Sequence, residues 1–360
     1  MIKEIQYKTF SLRTHKKNWQ IKKPNVCQWE LTFSCDLHCR HCYTDCYNKP
    51  SLIKRELDTK QVKFILDKVY NAGVIWVCFT GGDPLKRKDF LEIYSYAKNK
   101  GFIITIFTTG CSMTKEIADY LEKRPPFVIE ITINGVTKDT YERVTQVKGS
   151  YEKTMRGLNL ILKKKLPFKV KTMATKQNFE ELASIKDFLE ERKIKFRPSS
   201  LLHAKLDRDS TLCSLRIKPK EIHNIDRLFG VESTKEDDEG AEVYNVHKRK
   251  VPTNNRLFHC AFGGGDGINL DPYGNMFPCN CIRKPAINFL DSDLQMIKKT
   301  LFETFRQISN LEFKTDSKCR SCEFVDLCLR CPGKALLEKG DMEAPIEYFC
   351  ELTRFTAGRR

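Results

Sequence analysis

The feature that most limits how this chain can fold is a group of three cysteines spaced C-x3-C-x2-C: Cys35, Cys39 and Cys42. The group directly follows the apolar residues 29–33, which places it at the end of a predicted strand. Thiolates are soft ligands that suit zinc or iron–sulfur clusters. A structural zinc site normally needs a fourth Cys or His ligand. The nearby candidates for that ligand are His38, His41 and Cys46. A 4Fe-4S cluster held by three thiolates instead keeps one iron open to a small molecule.

The number of cysteines and the net charge of the chain indicate its cellular compartment and the kinds of partner that it can bind. No apolar run approaches the roughly 18 residues of a membrane span, and the first 23 residues are too polar for a signal peptide. We therefore expect a cytoplasmic protein, in which 16 cysteines indicate metal binding rather than disulfides. The net charge of +17 permits an anionic partner. The lysines are spread over helix faces, which argues against nucleic acid.

The pattern between residues 26 and 200 alternates short apolar runs with amphipathic helices. One helix is predicted to begin after the N-cap Asp58 and to end at Gly73, and a buried strand follows at residues 74–79. Including residues 28–33, six strands of this kind are predicted, the last at residues 195–197. This alternation predicts an α/β fold with parallel strands and helices on one side. Ligands then lie at the carboxyl ends of the strands, where Cys35 follows the first one.

Glycine-containing turns follow the next three strands. Their segments are Thr80-Gly81-Gly82-Asp83-Pro84, Thr108-Thr109-Gly110 and Thr132-Ile133-Asn134-Gly135. Consecutive glycines allow a close approach of the backbone, so that exposed carbonyls can accept from an ammonium group. Taken singly, each segment is also typical of ordinary turn chemistry at a strand end.

Together with the cysteine spacing and the aromatic Tyr43 after it, these segments resemble the radical SAM superfamily. The resemblance implies a partial (β/α)6 barrel and a 4Fe-4S cluster on Cys35, Cys39 and Cys42. It implies that the open iron binds S-adenosylmethionine, which yields a 5'-deoxyadenosyl radical. By the same resemblance, Asp83 occupies a position at which the family usually carries Glu. The implied cofactor-binding residues are Gly81, Gly82, Asp83, Thr108, Thr132 and Arg143.

The C-terminal region is again rich in cysteine and resembles the SPASM extension, which binds two auxiliary 4Fe-4S clusters. The resemblance implies an outer cluster on Cys319, Cys322, Cys328 and Cys350. It implies an inner cluster on Cys260, Cys279 and Cys331. The fourth inner ligand is Cys281 or Asp266, or the position is open to a substrate thiolate. Two zinc sites, each closed by four thiolates, are the alternative for this region.

These patterns divide the chain into four parts. Residues 1–24 are predicted to be an extended lead-in that pairs at an edge or folds over the entrance, and residues 25–205 form the partial barrel. Residues 206–256 are a polar bridge with one helix at 218–229, and residues 257–360 form the auxiliary-cluster domain.

The resemblance implies an oxidoreductase that crosslinks a ribosomally synthesised precursor peptide, for example through a thioether. Auxiliary clusters provide a route for an electron and so favour net oxidation. A flavodoxin or ferredoxin is the expected reductant. A separate leader-peptide-binding protein is expected, since no additional N-terminal module is seen. No single catalytic residue is assigned.

Three alternatives stay open. Sulfatase maturation is disfavoured because Asn280, which cannot take up a proton, stands where those enzymes carry an aspartate. A tetrapyrrole side-chain oxidase is the second alternative, and a zinc-stabilised RNA-binding protein is the third.

Overall fold

The computed structural model describes residues 6–44, 48–229, 255–258, 267–325 and 327–357. The six predicted strands are all present, and each pairs in parallel with the next. They are β1 (Val26–Thr32), β2 (Trp76–Gly81), β3 (Ile103–Thr108), β4 (Val128–Thr132), β5 (Phe168–Met173) and β6 (Phe196–Ser199). The sheet continues beyond β1 and stays open, with the order β6-β5-β4-β3-β2-β1-β7-β8-β9. The predicted α/β partial barrel is confirmed.

In the first group one helix precedes these strands, seven lie between them and one follows the last, and the described part of the C-terminal region adds four more. The first group is α1 (Tyr7–Gln20), α2 (Pro50–Ile53), α3 (Thr59–Ala72), α4 (Phe90–Asn99), α5 (Lys115–Lys123), α6 (Lys138–Thr145), α7 (Ser150–Lys163), α8 (Leu182–Glu191) and α9 (Pro219–Leu228). The second is α10 (Leu294–Lys299), α11 (Phe305–Ser309), α12 (Pro332–Lys339) and α13 (Glu347–Ala357). None of the helices in the described ranges has the length and apolar character needed to cross a bilayer.

Helix α3 shows why the local signals were reliable. Asp58 and Gln61 form a reciprocal capping box at its start. Gly73 ends the helix in the left-handed conformation, with φ +105°. The buried residues between them, Val62, Ile65, Leu66 and Val69, lie on one face against the sheet.

The expectation of an extended lead-in is wrong, because residues 7–20 form helix α1. The helix packs against the amino ends of the strands, not over the entrance. Tyr7 accepts a hydrogen bond of 3.0 Å from the indole N–H of Trp76, and its ring lies 4.5 Å from that of Phe127. His15 stacks on Trp76 at 4.9 Å. Polar residues dominate this segment, so its apolar periodicity is weak, and tertiary contacts stabilise the helix.

The strands place opposite chemistry on their two faces, because successive side chains alternate. One face carries the hydrophobic core beneath the helices, including Trp29, Phe79, Ile106, Ile131 and Val170. The other, concave face carries polar residues at the alternate positions. These include Glu30, Cys78, Thr105, Glu130 and Lys169. With α1 at the amino ends, the concave face opens toward the carboxyl ends, where the predicted site lies.

The C-terminal region extends the same sheet, which the sequence did not predict. Strand β7 (Gly267–Leu270) pairs in parallel with β1, and the antiparallel strands β8 (Asn275–Phe277) and β9 (Ile287–Asn288) follow. Helix α9 confirms the helix predicted at residues 218–229. Residues 230–254 lie outside the described ranges. Arg216 and Glu338 form an almost fully buried ion pair of 2.6 Å between the bridge and α12.

Candidate metal and cofactor site

The loop that follows β1 brings its three cysteines into one small apolar cluster. Cys35 and Leu37 are buried there, and Cys39, Cys42 and Cys111 pack against them. Burial and the neighbouring thiols of Cys42 and Cys111 raise the pKa of Cys39 above its usual value. A cation or cluster is therefore needed to stabilise thiolates at this position.

Backbone contacts hold this loop in place. The amide side chain of Asn48 accepts from the backbone N–H of Cys35 at 2.9 Å and donates to its carbonyl at 3.0 Å. The backbone N–H of His38 donates to Thr145 at the end of α6, at 3.0 Å. That of Arg40 donates to Val144, also at 3.0 Å. The loop is thus fixed at the carboxyl end of β1, as the sequence predicted.

His41 supplies a nitrogen suited to binding. Its Nδ1 is buried and has no hydrogen-bond partner among the described residues. Burial lowers the pKa of His41 to about 4, so that its ring is neutral. The nitrogen is therefore free for a bound cofactor, or for the zinc that the sequence left open. His38 is fixed through its backbone, and Cys46 lies outside the described residues.

The two glycines after β2 are required by close packing. A Cβ on Gly81 would lie 2.2 Å from the backbone oxygen of Thr32, and one on Gly82 would lie 2.2 Å from that of Ser34. Gly81 also has φ +122°, a conformation that favours glycine. The turn therefore lies directly against the start of the cysteine loop.

Asp83 joins the ends of two strands. It is fully buried, and its carboxylate accepts from the hydroxyl of Thr108 at 2.8 Å. It also accepts from the hydroxyl and backbone N–H of Thr109, at 2.7 and 3.0 Å, and from the N–H of Leu85 at 3.0 Å. Burial raises the pKa of Asp83, although these hydrogen bonds oppose the shift. In this arrangement Asp83 positions Thr108, whose oxygen also accepts from the N–H of Gly110.

The other two predicted cofactor residues lie farther along the rim. Thr132 ends β4 and is half-buried. Arg143 is exposed on α6, where its guanidinium donates to the backbone oxygen of Gln177 at 2.7 Å and to the hydroxyl of Thr140 at 2.9 Å. All six predicted cofactor residues therefore lie at or beyond the carboxyl ends of β2, β3 and β4.

The concave face carries a charged cluster that the sequence analysis did not identify. Glu130 on β4 lies between two lysines of β5: it pairs with Lys169 at 2.6 Å and contacts Lys171. The ammonium group of Lys171 also lies 3.0 Å from the ring centre of Phe107. The signal was present, since charged residues are unusual in parallel strands buried on both faces.

A second charged pair joins the barrel to the C-terminal region. Glu30 on β1 is 1% exposed and accepts a bidentate interaction from Arg283, at 2.7 and 2.8 Å. The hydroxyl of Tyr43 lies 3.5 Å from the same carboxylate. The turn that carries Cys279 and Cys281 is therefore held over the concave face.

Four predicted outer ligands line one cavity of about 470 Å³ in the C-terminal region. They are Cys319, Cys322, Cys328 and Cys350. Burial and the proximity of the other three thiols raise the pKa of Cys350 above its usual value. The structure thus brings this predicted set together.

Three thiols form the inner thiol site, which we define as Cys279, Cys281 and Cys331. A hydrogen bond between Cys281 and Cys331, with help from the N–H groups of Gly333 and Lys334, lowers the pKa of Cys331. His203 lies beside them, and burial lowers its pKa. Cys260 and Asp266, both named as inner ligands, lie outside the described residues. Asn280 has a buried Oδ1 without a hydrogen-bond partner in the described ranges.

The donor chemistry of these groups fits iron–sulfur clusters. All fourteen cysteines in the described ranges are free thiols. The described ranges contain no group of three or more His, Cys, Asp or Glu side chains placed to bind a single metal ion. Each thiolate of a 4Fe-4S cluster binds a different iron, so the grouping of thiols remains compatible with a cluster.

Comparisons with known proteins agree with this geometry. Residues 29–189 match the model of the radical SAM superfamily. The AdoMet-dependent heme synthase of Methanosarcina barkeri is 25% identical over 342 residues, which cover 88% of this chain and 94% of that protein. The mycofactocin maturase MftC of Mycolicibacterium smegmatis is 31% identical over 160 residues, which cover 44% of this chain and 40% of that protein.

Two solved structures share the fold over almost the whole chain. A structure of anSMEcpe with bound AdoMet has a TM-score of 0.67 at 17% identity, covering 93% of this chain and 94% of the other. Streptococcus suis SuiB bound to the precursor peptide SuiA has a TM-score of 0.65 at 16% identity, covering 95% and 80%. The shared fold therefore extends beyond the barrel into the cysteine-rich region.

Proposed function

Since this chain is a radical SAM enzyme, we propose that it oxidatively modifies a ribosomally synthesised peptide by forming a thioether or another crosslink. The similarity to MftC supports a peptide substrate, and so does a fold shared with a protein solved with its precursor peptide. Because the chain is an enzyme, the zinc-stabilised RNA-binding alternative is not retained.

The radical SAM domain implies a 4Fe-4S cluster and S-adenosylmethionine. When bound, they supply a carbon-centred radical that removes a hydrogen atom from the substrate. We assign the cluster to Cys35, Cys39 and Cys42, which share one buried loop. We assign the cofactor site to the backbone of Gly81 and Gly82 and to the side chains of Thr132 and Arg143. Asp83 acts on that site by holding Thr108.

We further propose that the C-terminal region is a SPASM domain with two auxiliary 4Fe-4S clusters. The outer cluster is assigned to Cys319, Cys322, Cys328 and Cys350, which line one cavity. The second is assigned to the inner thiol site. The residues therefore offer thiol donors for three clusters.

The proposal of a net oxidation is supported by the short distance between the inner thiol site and the cysteine loop after β1. The ring of Tyr43, which follows Cys42, lies 5.5 Å from that of His203. Nε2 of His203 lies 3.9 Å from Sγ of Cys281. Removal of a hydrogen atom leaves a carbon radical, which must lose one electron to complete a two-electron oxidation. We propose that a cluster on the inner thiol site accepts that electron, while a proton leaves as the new bond forms.

The remaining partners follow from the chemistry. A flavodoxin or ferredoxin is proposed to reduce the first cluster, and a separate protein is proposed to bind the leader of the precursor peptide. Free thiols in this number need a reducing compartment, so we place the reaction in the cytoplasm.

Anaerobically reconstituted protein tests this function. With S-adenosylmethionine, dithionite and a candidate precursor peptide, chosen as any short peptide found to be encoded beside this gene, we expect the peptide to lose two hydrogen atoms as 5'-deoxyadenosine forms. Cys39→Ala should abolish both products. Cys213→Ala, which removes a thiol that lies next to Glu338, is the matched control and should retain them. Formation of 5'-deoxyadenosine with an unmodified peptide would contradict the peptide assignment.

Oxidation of a tetrapyrrole side chain is the second candidate. It is favoured by the heme synthase match, which covers nearly the full length of both proteins. Lys169 and Lys171 also give the concave face a net positive charge around Glu130, which suits a carboxylate-bearing substrate. Iron coproporphyrin III tests this candidate in the same assay. A product altered at its propionate groups would support it, and an unchanged porphyrin would exclude it.

A further inference from the structure

His203 lies beside the inner thiol site, on the segment that follows β6. Its Nε2 atom is 3.9 Å from Sγ of Cys281. We propose that His203 is a metal ligand and completes the inner ligand set with Cys279, Cys281 and Cys331. This inference rests on the proposed auxiliary cluster at that site, and it assigns to a histidine a ligand role that the resemblance to the SPASM extension gave to Cys260.

The hydrogen bond at the other ring nitrogen fixes which atom can bind. Nδ1 of His203 lies 2.8 Å from the carbonyl oxygen of Ala204. A carbonyl only accepts, so Nδ1 carries the proton and donates it. In the tautomer with the proton on Nδ1 the lone pair lies on Nε2, the atom that faces Cys281. Histidines that bind metals commonly donate their second N–H to a carbonyl or carboxylate in this way.

The backbone brings the three thiols to the same place. Cys279 and Cys281 share a tight turn, closed by hydrogen bonds of 2.9 and 3.2 Å between the backbones of Cys279 and Ile282. Cys331 is the N-cap of α12. Gly333, in the first turn of that helix, lies so close that a Cβ on it would be 2.8 Å from Cβ of Cys281. The glycine therefore allows the helix start to approach the turn.

A histidine ligand changes the charge of the cluster. A neutral imidazole in place of a thiolate removes one negative charge, and histidine ligation raises the reduction potential of iron–sulfur centres. A higher potential favours the acceptance of an electron from a substrate radical. The inner cluster would therefore be a better electron acceptor than one held by four thiolates.

The experiment uses full-length protein in which Cys35, Cys39 and Cys42 are all replaced by alanine, so that only auxiliary clusters remain. We expect about eight iron atoms per chain from two cubane clusters. Electron spin echo envelope modulation of the reduced protein should show a strongly coupled nitrogen. That signal should change when the protein is grown with ¹⁵N-histidine, and His203→Gln should remove it.

Two further variants separate the possible ligands. Cys260→Ala should keep the nitrogen signal and the iron content. His203→Cys should keep the iron, lose the signal and lower the reduction potential of one cluster. Iron without a histidine-dependent signal, or a signal that persists in His203→Gln, would overturn the ligand assignment and leave the proposed clusters intact. Protein without iron would overturn the auxiliary clusters themselves. Neither result depends on the peptide assay.

Discussion

Replacing Gly82 by alanine should displace the cysteine loop and prevent the first cluster from forming. A Cβ at this position would lie 2.2 Å from the backbone oxygen of Ser34 and 2.7 Å from its carbonyl carbon. Ordinary van der Waals contact begins at 3.4 Å. The chain must therefore move by about 1 Å, and Ser34 is the residue before the proposed ligand Cys35. Both atoms belong to the backbone, so no flexible side chain can absorb the movement.

This displacement should affect chemistry more than stability. Overpacking of this kind costs about 1–3 kcal/mol, which the folded chain can tolerate. A displacement of about 1 Å at reacting groups can reduce a rate by about 100-fold. Gly82→Ala should therefore unfold cooperatively, contain about four fewer iron atoms per chain and form at least about 100-fold less 5'-deoxyadenosine with dithionite.

Gly267→Ala is the matched control. Gly267 lies on β7, next to β1, and a Cβ on it would be 3.8 Å from the nearest atom, the backbone oxygen of Val26. This variant should keep its iron and its rate. Wild-type iron content and rate in Gly82→Ala would refute the steric reasoning, and an equal loss in both variants would show that the sheet, not the turn, was disturbed.

Three further changes test the charged groups. Arg283→Met should lower the free energy of unfolding, measured by urea denaturation, by about 3–5 kcal/mol, because it removes the ion-pair partner of the buried carboxylate of Glu30. The double variant that also carries Glu30→Gln should recover part of this loss. Asp89→Asn should lower stability at neutral pH. Partial burial disfavours the ionised Asp89, but hydrogen bonds from Arg87 and a hydroxyl more than offset this and lower its pKa. The stabilisation is therefore complete above the unfolded-state pKa of about 3.9 and is lost as pH falls through the lower folded-state pKa. A difference in unfolding free energy that stays constant as the pH falls through this range would contradict this. Lys171→Met should weaken binding of a carboxylate-bearing substrate about 10- to 100-fold, because a hydrogen bond to a charged group contributes about 1.5–3 kcal/mol. The formation of 5'-deoxyadenosine without substrate should be unchanged. A fall in that substrate-free rate would place Lys171 at the cofactor instead.

Sequence signals such as N-caps and terminal glycines predicted the elements that are stabilised by residues close together in the chain. The helix from Asp58 to Gly73 follows from a capping box and a terminal glycine, and both appear in the structure. The cysteine loop and the glycine turns follow their strands as expected. Helix α1 escaped prediction because its stability comes from contacts with Trp76 and Phe127, which lie far away in sequence.

The site residues that the sequence analysis did not identify are brought together by contacts between distant parts of the chain. Glu130 meets Lys169 and Lys171 only because β4 and β5 are neighbours in a register that places them on the concave face. His203 reaches Cys281 only because the C-terminal turn is folded back over the barrel. Spacing along the chain identifies sets such as Cys319 and Cys322, whereas ligands from distant segments need the fold.

Both proposed metal sites are held in place through the same strand. Cys35 lies three residues after the end of β1, and β1 pairs in parallel with β7, which is followed by β8 and then by the turn of Cys279 and Cys281. Glu30, also on β1, binds Arg283 just after that turn. A movement of β1 therefore carries both sites together, so that their separation changes little. Electron transfer weakens steeply with distance, so a common strand would protect the electron-transfer step of the proposed net oxidation. The continuous sheet thus joins the barrel to the cysteine-rich region that carries the proposed auxiliary clusters.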